Sequence, residues 1–328
     1  MARRALLVGI DKYDYFNDLT TCVADATEMA TLLKRNADAG PNYSCRLMVH
    51  GATNAKEPIT IPMLTEACEE LFDYTGDVLF YFSGHGALTK TGGYIATTDS
   101  QKHNWGIPMQ QILDLALVSR ARDILVMLDC CHAGALGDIP SYKGPHALAN
   151  LREDMTIIAA SRASESAVEA GKHSLFTASL LEALNGGAAD HMGWVTPQSI
   201  YAYVERGFGG WVQRPVYKSN VSELTVVRRC APLIERLKLD ELVQLFPTLD
   251  TKFQLDPDYE AYDAKGNRRK RVDEEKVRKS NLFKDFRDVG LVKSTSGEQF
   301  FWVALNSGTL ELTTRGREYW RLVQAEQI

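Results

Sequence analysis

At 328 residues, with 45% hydrophobic and 24% charged side chains, the chain has the composition of a folded globular protein with room for roughly two domains. Its net charge of −5 argues against a general nucleic-acid binder. No apolar run approaches the roughly 18 residues of a membrane span, and the six cysteines (Cys22, Cys45, Cys68, Cys130, Cys131, Cys230) show neither paired metal-ligand spacing nor a dense disulfide framework.

The amino-terminal MARRALLVGIDKYD runs from two arginines straight into an apolar strand, Ala5 to Ile10, and is therefore not read as a signal peptide. A cytoplasmic, reducing setting is expected, one that keeps an active thiol reduced. Helical apolar spacing follows from Cys22 to Lys34, then a second strand (Arg46 to Gly51) and a second helix (Ile61 to Tyr74). Asp77 to Phe82 predicts a third strand, Met109 to Val118 a helix, Ile124 to Asp129 a fourth strand and Thr156 to Ser161 a fifth. Helices over Phe176 to Leu184 and Ser199 to Arg206, and a last strand over Glu223 to Val227, complete the alternation. Apolar strands alternating with helices predict an α/β fold, a mostly parallel sheet flanked by helices on both faces. Such sheets bind ligands outside the carboxyl ends of their strands.

Around Arg229 to Pro232 the pattern changes, which predicts one domain over residues 1–229 and a smaller one over 230–328. The second part is helical and charged, with a basic cluster, KGNRRKR (Lys265 to Arg271), expected as an exposed loop. It ends in a helix (Glu274 to Val289), Gly290, the run FFWVAL (Phe300 to Leu305), a turn at Asn306 to Gly308, LELT and a helix from Arg315. Helix, hairpin, helix resembles a winged-helix α+β unit, and LELTTRGREYW is similar to the wing-to-helix ending of such domains. From Ala231 to Ile328 there are 17 basic and 17 acidic residues, so this part is neutral overall. The basic cluster fits a solvated loop better than a DNA reader, which needs several phosphate contacts on one face.

Two strands break into small and reactive residues: DVLFYFSGHG (Asp77 to Gly86) and DILVMLDCCHAG (Asp123 to Gly134). One ends at His85 between two glycines, the other at Cys130, Cys131 and His132. A free thiol near pKa 8.5 is mostly protonated at neutral pH, and an imidazole or a helix amino terminus lowers that value. His132 adjoins Cys131, but neighbours on an extended chain point to opposite sides, so a histidine from another strand is the better base. His85 has that position, and its flanking glycines let a substrate carbonyl approach. The N–H groups of Gly86 and Cys131 are candidates to hold an oxyanion. A lone buried His or Cys is usually structural; a pair at two strand ends, each on a small-residue turn, favours a base and a nucleophile.

SGHG and DCCHAG resemble the paired signatures of the caspase-like cysteine peptidases, and the Cys-His order is similar to that of metacaspases and their bacterial relatives. The separation from His85 to Cys131 (131 − 85 = 46) is close to the roughly 50 residues of caspases. The resemblance covers about Arg4 to Val227. RALLVGID matches the family's first strand, TTCVADATEMATLL its first helix with a Cys-x-x-Asp pattern, and HSLFTASLLEAL the helix after the fifth strand. It implies a cysteine endopeptidase with Cys131 as nucleophile and His85 as base, Cys130 at a variable position, and no cofactor for the chemistry. Ala133 stands where many relatives carry Ser or Thr.

The resemblance also implies an acidic primary pocket for Arg or Lys, formed by Asp129, Asp25 and Ser83, with Asp99 at the acidic position after the next strand. A carboxylate beside a guanidinium gives a charge-assisted, bidentate contact. The competing roles are a cap or solvent-facing position for Asp25 and an ordered turn for Asp129. Asp138 resembles a position linked to calcium activation in relatives, but a calcium site wants six to eight oxygens and the sequence assembles no such set; the metal-ligand assignment stays unknown. Lys143 and Arg152 lie where relatives are often self-cut. The partners implied are a protein substrate, sought first among the products of nearby genes, and an activating protein docking on residues 230–328, with no membrane. Bacterial members often act in stress or antiviral signalling. The alternative is a DNA-binding or protein-binding regulator whose caspase-like part is a scaffold or self-processing switch.

Overall fold

The apolar runs become strands of one sheet in the computed structural model, which describes residues 3–51, 57–90, 92–130, 151–160, 169–170, 172–208 and 215–328. Two units divide the chain: Met1–Ala189 with Gly193–Ala231, and Asp190–Met192 with Pro232–Ile328. In the first, β1 (Arg3–Ile10) leads through a loop to α1 (Cys22–Leu33) and β2 (Ser44–His50). α2 (Ile61–Phe72) follows, then β3 (Asp77–Ser83), in which all seven residues are buried. A small antiparallel sheet of β4 (Gly86–Thr89), β5 (Gly92–Ile95) and β6 (Ile107–Pro108) precedes α3 (Met109–Val118). β7 (Ile124–Asp129) and β8 (Met155–Ala159) come next, followed by the short antiparallel pair β9 (Glu169–Ala170) and β10 (His173–Ser174) that leads into α4 (Leu175–Glu182). The unit closes with β11 (Trp194–Val195), α5 (Pro197–Gly207), β12 (Val216–Asn220) and β13 (Arg228–Arg229).

The main sheet has the order β12-β8-β7-β3-β1-β2, with every pairing parallel except that of β12. Because strand side chains alternate, an all-apolar strand feeds two cores. Val78, Phe80 and Phe82 of β3 pack with Leu64 of α2 and Ile112 of α3 on one face. Leu79 and Tyr81 pack with Met29 of α1, Leu180 of α4 and Ile200 of α5 on the other. This is the mostly parallel, two-faced sheet that the alternation predicts.

One strand is placed differently. Glu223 to Val227 forms no strand, and the sixth strand is β12, antiparallel to β8 with Val216 opposite Ala159. An edge strand makes one ladder and faces solvent on one flank, so VYKSN, with its Lys and Asn, lacks the apolar signature of the interior strands. Val227 is buried without joining that sheet; its N–H donates to the Val195 carbonyl at 2.7 Å.

The second unit contains α6 (Arg236–Leu245), β14 (Phe253–Gln254), α7 (Glu274–Asp288), β15 (Val292–Ser294), α8 (Phe300–Leu305), β16 (Thr309–Leu312) and α9 (Thr314–Gln324). Its three strands form an antiparallel sheet, β14-β16-β15, over a core that includes Leu242, Phe283, Phe286 and Leu310. FFWVAL is helix α8 and not a hairpin arm: Phe300, Val303 and Ala304 are buried, the i, i+3, i+4 spacing of a helix, while Trp302 faces out. A short run that is apolar throughout fits either element until its neighbours choose. Gly316, in the first turn of α9, sits so close to the Leu291 carbonyl that a Cβ would lie 2.0 Å from its oxygen, which is why the helix takes glycine there. The basic cluster is an exposed loop in which Arg269 pairs with Asp258 at 3.3 Å and Arg268 with Glu274 at 3.5 Å. Among the described residues no helix is long and apolar enough to cross a membrane.

Candidate active site

Strand register brings the candidate residues together. Gly9 of β1 lies opposite Ser83 of β3, and Ser83 lies opposite Asp129 of β7, so three strands end in one row. His85 follows two residues beyond Ser83 and is half-buried. Its backbone N–H donates to the Tyr13 hydroxyl at 2.8 Å, and its own carbonyl accepts from Ala96 N at 2.9 Å. Its ring packs against Tyr13, with centroids 4.8 Å apart, and against Phe16 at 5.9 Å. Gly84 makes room for Tyr13: a Cβ there would lie 2.6 Å from the tyrosine hydroxyl.

The imidazole Nε2 lies 2.7 Å from the backbone carbonyl oxygen of Asn17. A carbonyl only accepts, so Nε2 carries the hydrogen and Nδ1 keeps its lone pair in the neutral ring. Asn17 thereby fixes which ring nitrogen of His85 is left without a hydrogen. Sequence reasoning missed this partner, and nothing in the sequence marks it, because a backbone carbonyl is the same at every residue.

Gly86 opens β4 opposite Ile95. The bond from Ala96 N to the His85 carbonyl makes Gly86 and Ile95 a non-hydrogen-bonded pair, so the Gly86 N–H points away from β5. Cys130 is buried in the core with Leu128 and Val126. Cys131 lies outside the described residues, as do Asp138 and Lys143. Arg152 is described, and its guanidinium donates to the carbonyls of Ser119, Ala121 and Glu153, each at 2.9 Å. Those three bonds must break before it can enter any cleavage site.

Three of the four expected pocket residues meet. Asp25, fully buried on α1, accepts the Ser83 hydroxyl at 3.1 Å through Oδ2. Its Oδ1 lies 2.8 Å from His173 Nδ1 and 3.4 Å from Ser174 N. Burial, and then the charge of Asp129, push its carboxyl up to about 8. Asp129 is 7% exposed, and its Oδ2 accepts two hydroxyls, from Ser174 and, at 2.5 Å, from Thr177. Burial raises its carboxyl too, while those hydroxyl donors oppose the rise. Tyr81 donates onward to Thr177 Oγ1 at 2.6 Å, since the one Thr177 proton is already given to Asp129. Ser174 is the cap of α4, accepting Thr177 N at 2.9 Å. Sequence reasoning missed His173, Ser174 and Thr177. The signal was the Ser174-x-x-Thr177 stretch, whose serine is a cap residue at the start of an apolar helix.

Asp99 is placed elsewhere. Its Oδ1 accepts Ile61 N at 3.1 Å and the Thr97 hydroxyl at 2.7 Å, holding the first turn of α2 on the opposite face of the sheet from α1. Cys22, at the start of α1, is buried, and burial holds its thiol well above the usual range. Among the described residues no group of three or more His, Cys, Asp or Glu is arranged to hold a metal ion.

Residues 2–225 match the family described as Caspase domain. Similar solved structures include a protein from Geobacter sulfurreducens, 17% identical, covering 68% of this chain and 95% of that one, with a TM-score of 0.48. Another is caspase-1 from Spodoptera frugiperda, 13% identical, covering 70% of this chain and 90% of that one, with a TM-score of 0.48. No curated protein matches the chain.

Proposed function

The chain belongs to the caspase family of cysteine peptidases, and we propose that it is an active endopeptidase of the metacaspase-like branch, cutting proteins after Arg or Lys. Cys131 attacks the scissile carbonyl carbon through Sγ, and His85 Nδ1 takes the thiol proton. The C–N bond breaks as His85 returns that proton to the leaving amine, and water then hydrolyses the thioester with His85 as base. The N–H groups of Gly86 and Cys131 hold the oxyanion. Asp129, Asp25 and Ser83 form the pocket for the basic side chain. Asp99, committed to α2, is left out of it.

The observation that carries this reading is the bond from His85 Nε2 to the Asn17 carbonyl, which leaves the Nδ1 lone pair able to accept a proton. A separate core runs from Ile234 onward, with Met192 packed against it, and residues 230–328 serve, in this proposal, as a winged-helix-like recruitment module for a substrate or an activating protein. Its basic loop is partly neutralised by Asp258 and Glu274, which favours protein over DNA. Fluorogenic peptides with Arg, Lys, citrulline or Asp before the scissile bond test the chemistry. Release from Arg and Lys peptides, abolished in Cys131→Ala and His85→Ala, is expected. Faster release from the Asp peptide, or full activity in either variant, overturns the reading. Incubating wild type and Cys131→Ala with the proteins of neighbouring genes then identifies the substrate.

A further inference from the structure

Two acids share the pocket, and their surroundings give them different protons. Asp129 Oδ2 receives the only proton of Ser174 and the only proton of Thr177. Ser174 cannot turn away, because its oxygen accepts Thr177 N, and Thr177 is backed by the Tyr81 hydroxyl. Burial raises the carboxyl of Asp129, but donors committed on this scale favour its charged form, so of the two acids Asp129 is the better held as an anion. Asp25 has one hydroxyl, one long amide contact and an imidazole nitrogen, with no side-chain exposure to water.

Among the described residues, the groups acting on Asp25 are Asp11 beyond β1, Cys22 on its own helix, Ser83 on β3, Asp129 on β7 and His173 and Ser174 of β10, while Lys172 and Glu28 act on His173. Lys172 pairs with Glu28 at 3.4 Å, and among the described residues no lysine or arginine pairs with Asp25. Burial, then Lys172, lower the basicity of His173, so its ring is neutral near neutral pH. The carboxyl that titrates near about 8 therefore carries its own proton, donated across the 2.8 Å contact to His173 Nδ1. When two neighbouring acids are pushed apart in this way, one acts as the anion and the other as the proton carrier.

We propose that His173 gates the basic-residue pocket: it covers Oδ1 of Asp25, and a cationic substrate side chain takes that oxygen in its place as one proton leaves the pocket. The gate deepens the Arg and Lys reading and rests on it. The step balances simply. The Asp25 O–H bond breaks, its proton passes to His173 Nδ1, and the Nε2 proton of the 16% exposed ring goes to buffer as the side chain swings away. The pocket then holds two carboxylates against one guanidinium or ammonium. His173 is a positioning residue for specificity and touches no reacting atom.

Isothermal calorimetry with benzamidine on the full-length protein, in two buffers of different ionisation enthalpy, reads the proton directly. Benzamidine stays cationic throughout, so any proton exchanged belongs to the protein. Wild type should release close to one proton at about pH 7, with affinity rising by about tenfold per pH unit up to about pH 8 and flat above it. His173→Ala should bind several-fold tighter near about pH 6.5 and release fewer protons, because Asp25 gains water and loses the competing ring. Asp25→Asn, nearly isosteric, should bind with no proton exchange and no pH slope; it serves if His173→Ala fails to fold. Wild-type binding that is pH-independent with no proton exchanged overturns the gate and leaves the basic pocket standing. Weaker binding by His173→Ala with undiminished proton release also overturns it, since His173 is then only a wall. No benzamidine binding at any pH overturns the gate and the pocket reading together.

Discussion

The two ends of the central strands solve one problem in opposite ways. At the amino end of β3, Asp77 is buried and meets two guanidinium groups: Arg122 at 2.8 Å through both Nε and Nη2, and Arg3 Nε at 3.1 Å. At the carboxyl end, Asp129 and Asp25 are also buried, and among the described residues their partners are hydroxyls, backbone amides and an imidazole. A buried carboxylate is tolerated when a cation or several donors offset its desolvation. Among the described residues, the chain places guanidinium groups on the acid at one end and none on the two acids at the other. The proposed pocket rests on that difference, between an acid paired with cations and two acids held by neutral donors.

The sharpest way to break this contrast is at Asp129. Replacing it with Asn removes the standing charge while preserving its shape. The preference for an Arg over a citrulline peptide, read as a ratio of kcat/KM, should fall by about 10²–10³-fold, the scale of losing one partner of a desolvated charge pair. Citrulline keeps the shape of arginine without its charge, so the ratio isolates electrostatics. A ratio that stays unchanged removes Asp129 from the pocket.

The mirror substitution is Asp77→Asn, which should leave that ratio untouched and act on stability alone. It strips two guanidiniums of their shared acceptor. Arg122 is half in solvent and Arg3 less so, and the loss is accordingly about 1–3 kcal/mol in urea unfolding, below the full buried-pair value. A change in peptide preference would show that the two ends are not independent.

Titration gives the third comparison. The carboxyl of Asp25 sits at about 8 in the folded chain and near its ordinary value of 3.8 when unfolded. Between those values the folded state holds the extra proton, so stability is greatest at the acid side and declines as pH rises, by at most about 1.4 kcal/mol per pH unit, until the folded group ionises. Melting temperature should therefore fall from about pH 5 to about pH 8 and level off, and Asp25→Asn should flatten that decline. A melting temperature that rises over the same range would assign the buried proton elsewhere.

How far the sequence reached follows from which contacts carry a chemical mark. Continuous apolar runs announced the interior strands, and abrupt endings in SGHG and LDCC announced the row where they stop. Glycine at 84 was read as freedom for a substrate, whereas part of its role is to admit Tyr13. Partners reached through backbone, such as the Asn17 carbonyl on His85, left no trace. His173 meets Asp25 across 148 positions, and only the fold makes that proximity visible. VYKSN and FFWVAL went astray for one shared reason: an edge strand and a short amphipathic helix each bury one side, so their local patterns are ambiguous.

Asp99 supplies the smallest and cleanest contrast, because it was expected among the pocket acids and works as a cap. Its carboxylate accepts Ile61 N at the start of α2 and the Thr97 hydroxyl beside it, a use that needs an acceptor and no external cation. Asp99→Ala should destabilise the unit by about 1 kcal/mol, the usual worth of an amino-terminal cap, and Asp99→Asn by less, since the amide oxygen still accepts. Both variants should keep the arginine-to-citrulline ratio of the wild type. If Asp99→Asn instead lowered that ratio with no loss of stability, Asp99 would rejoin Asp25 and Asp129. The rule that a fully engaged acid is structural would then fail at the one position where it was used to exclude a residue.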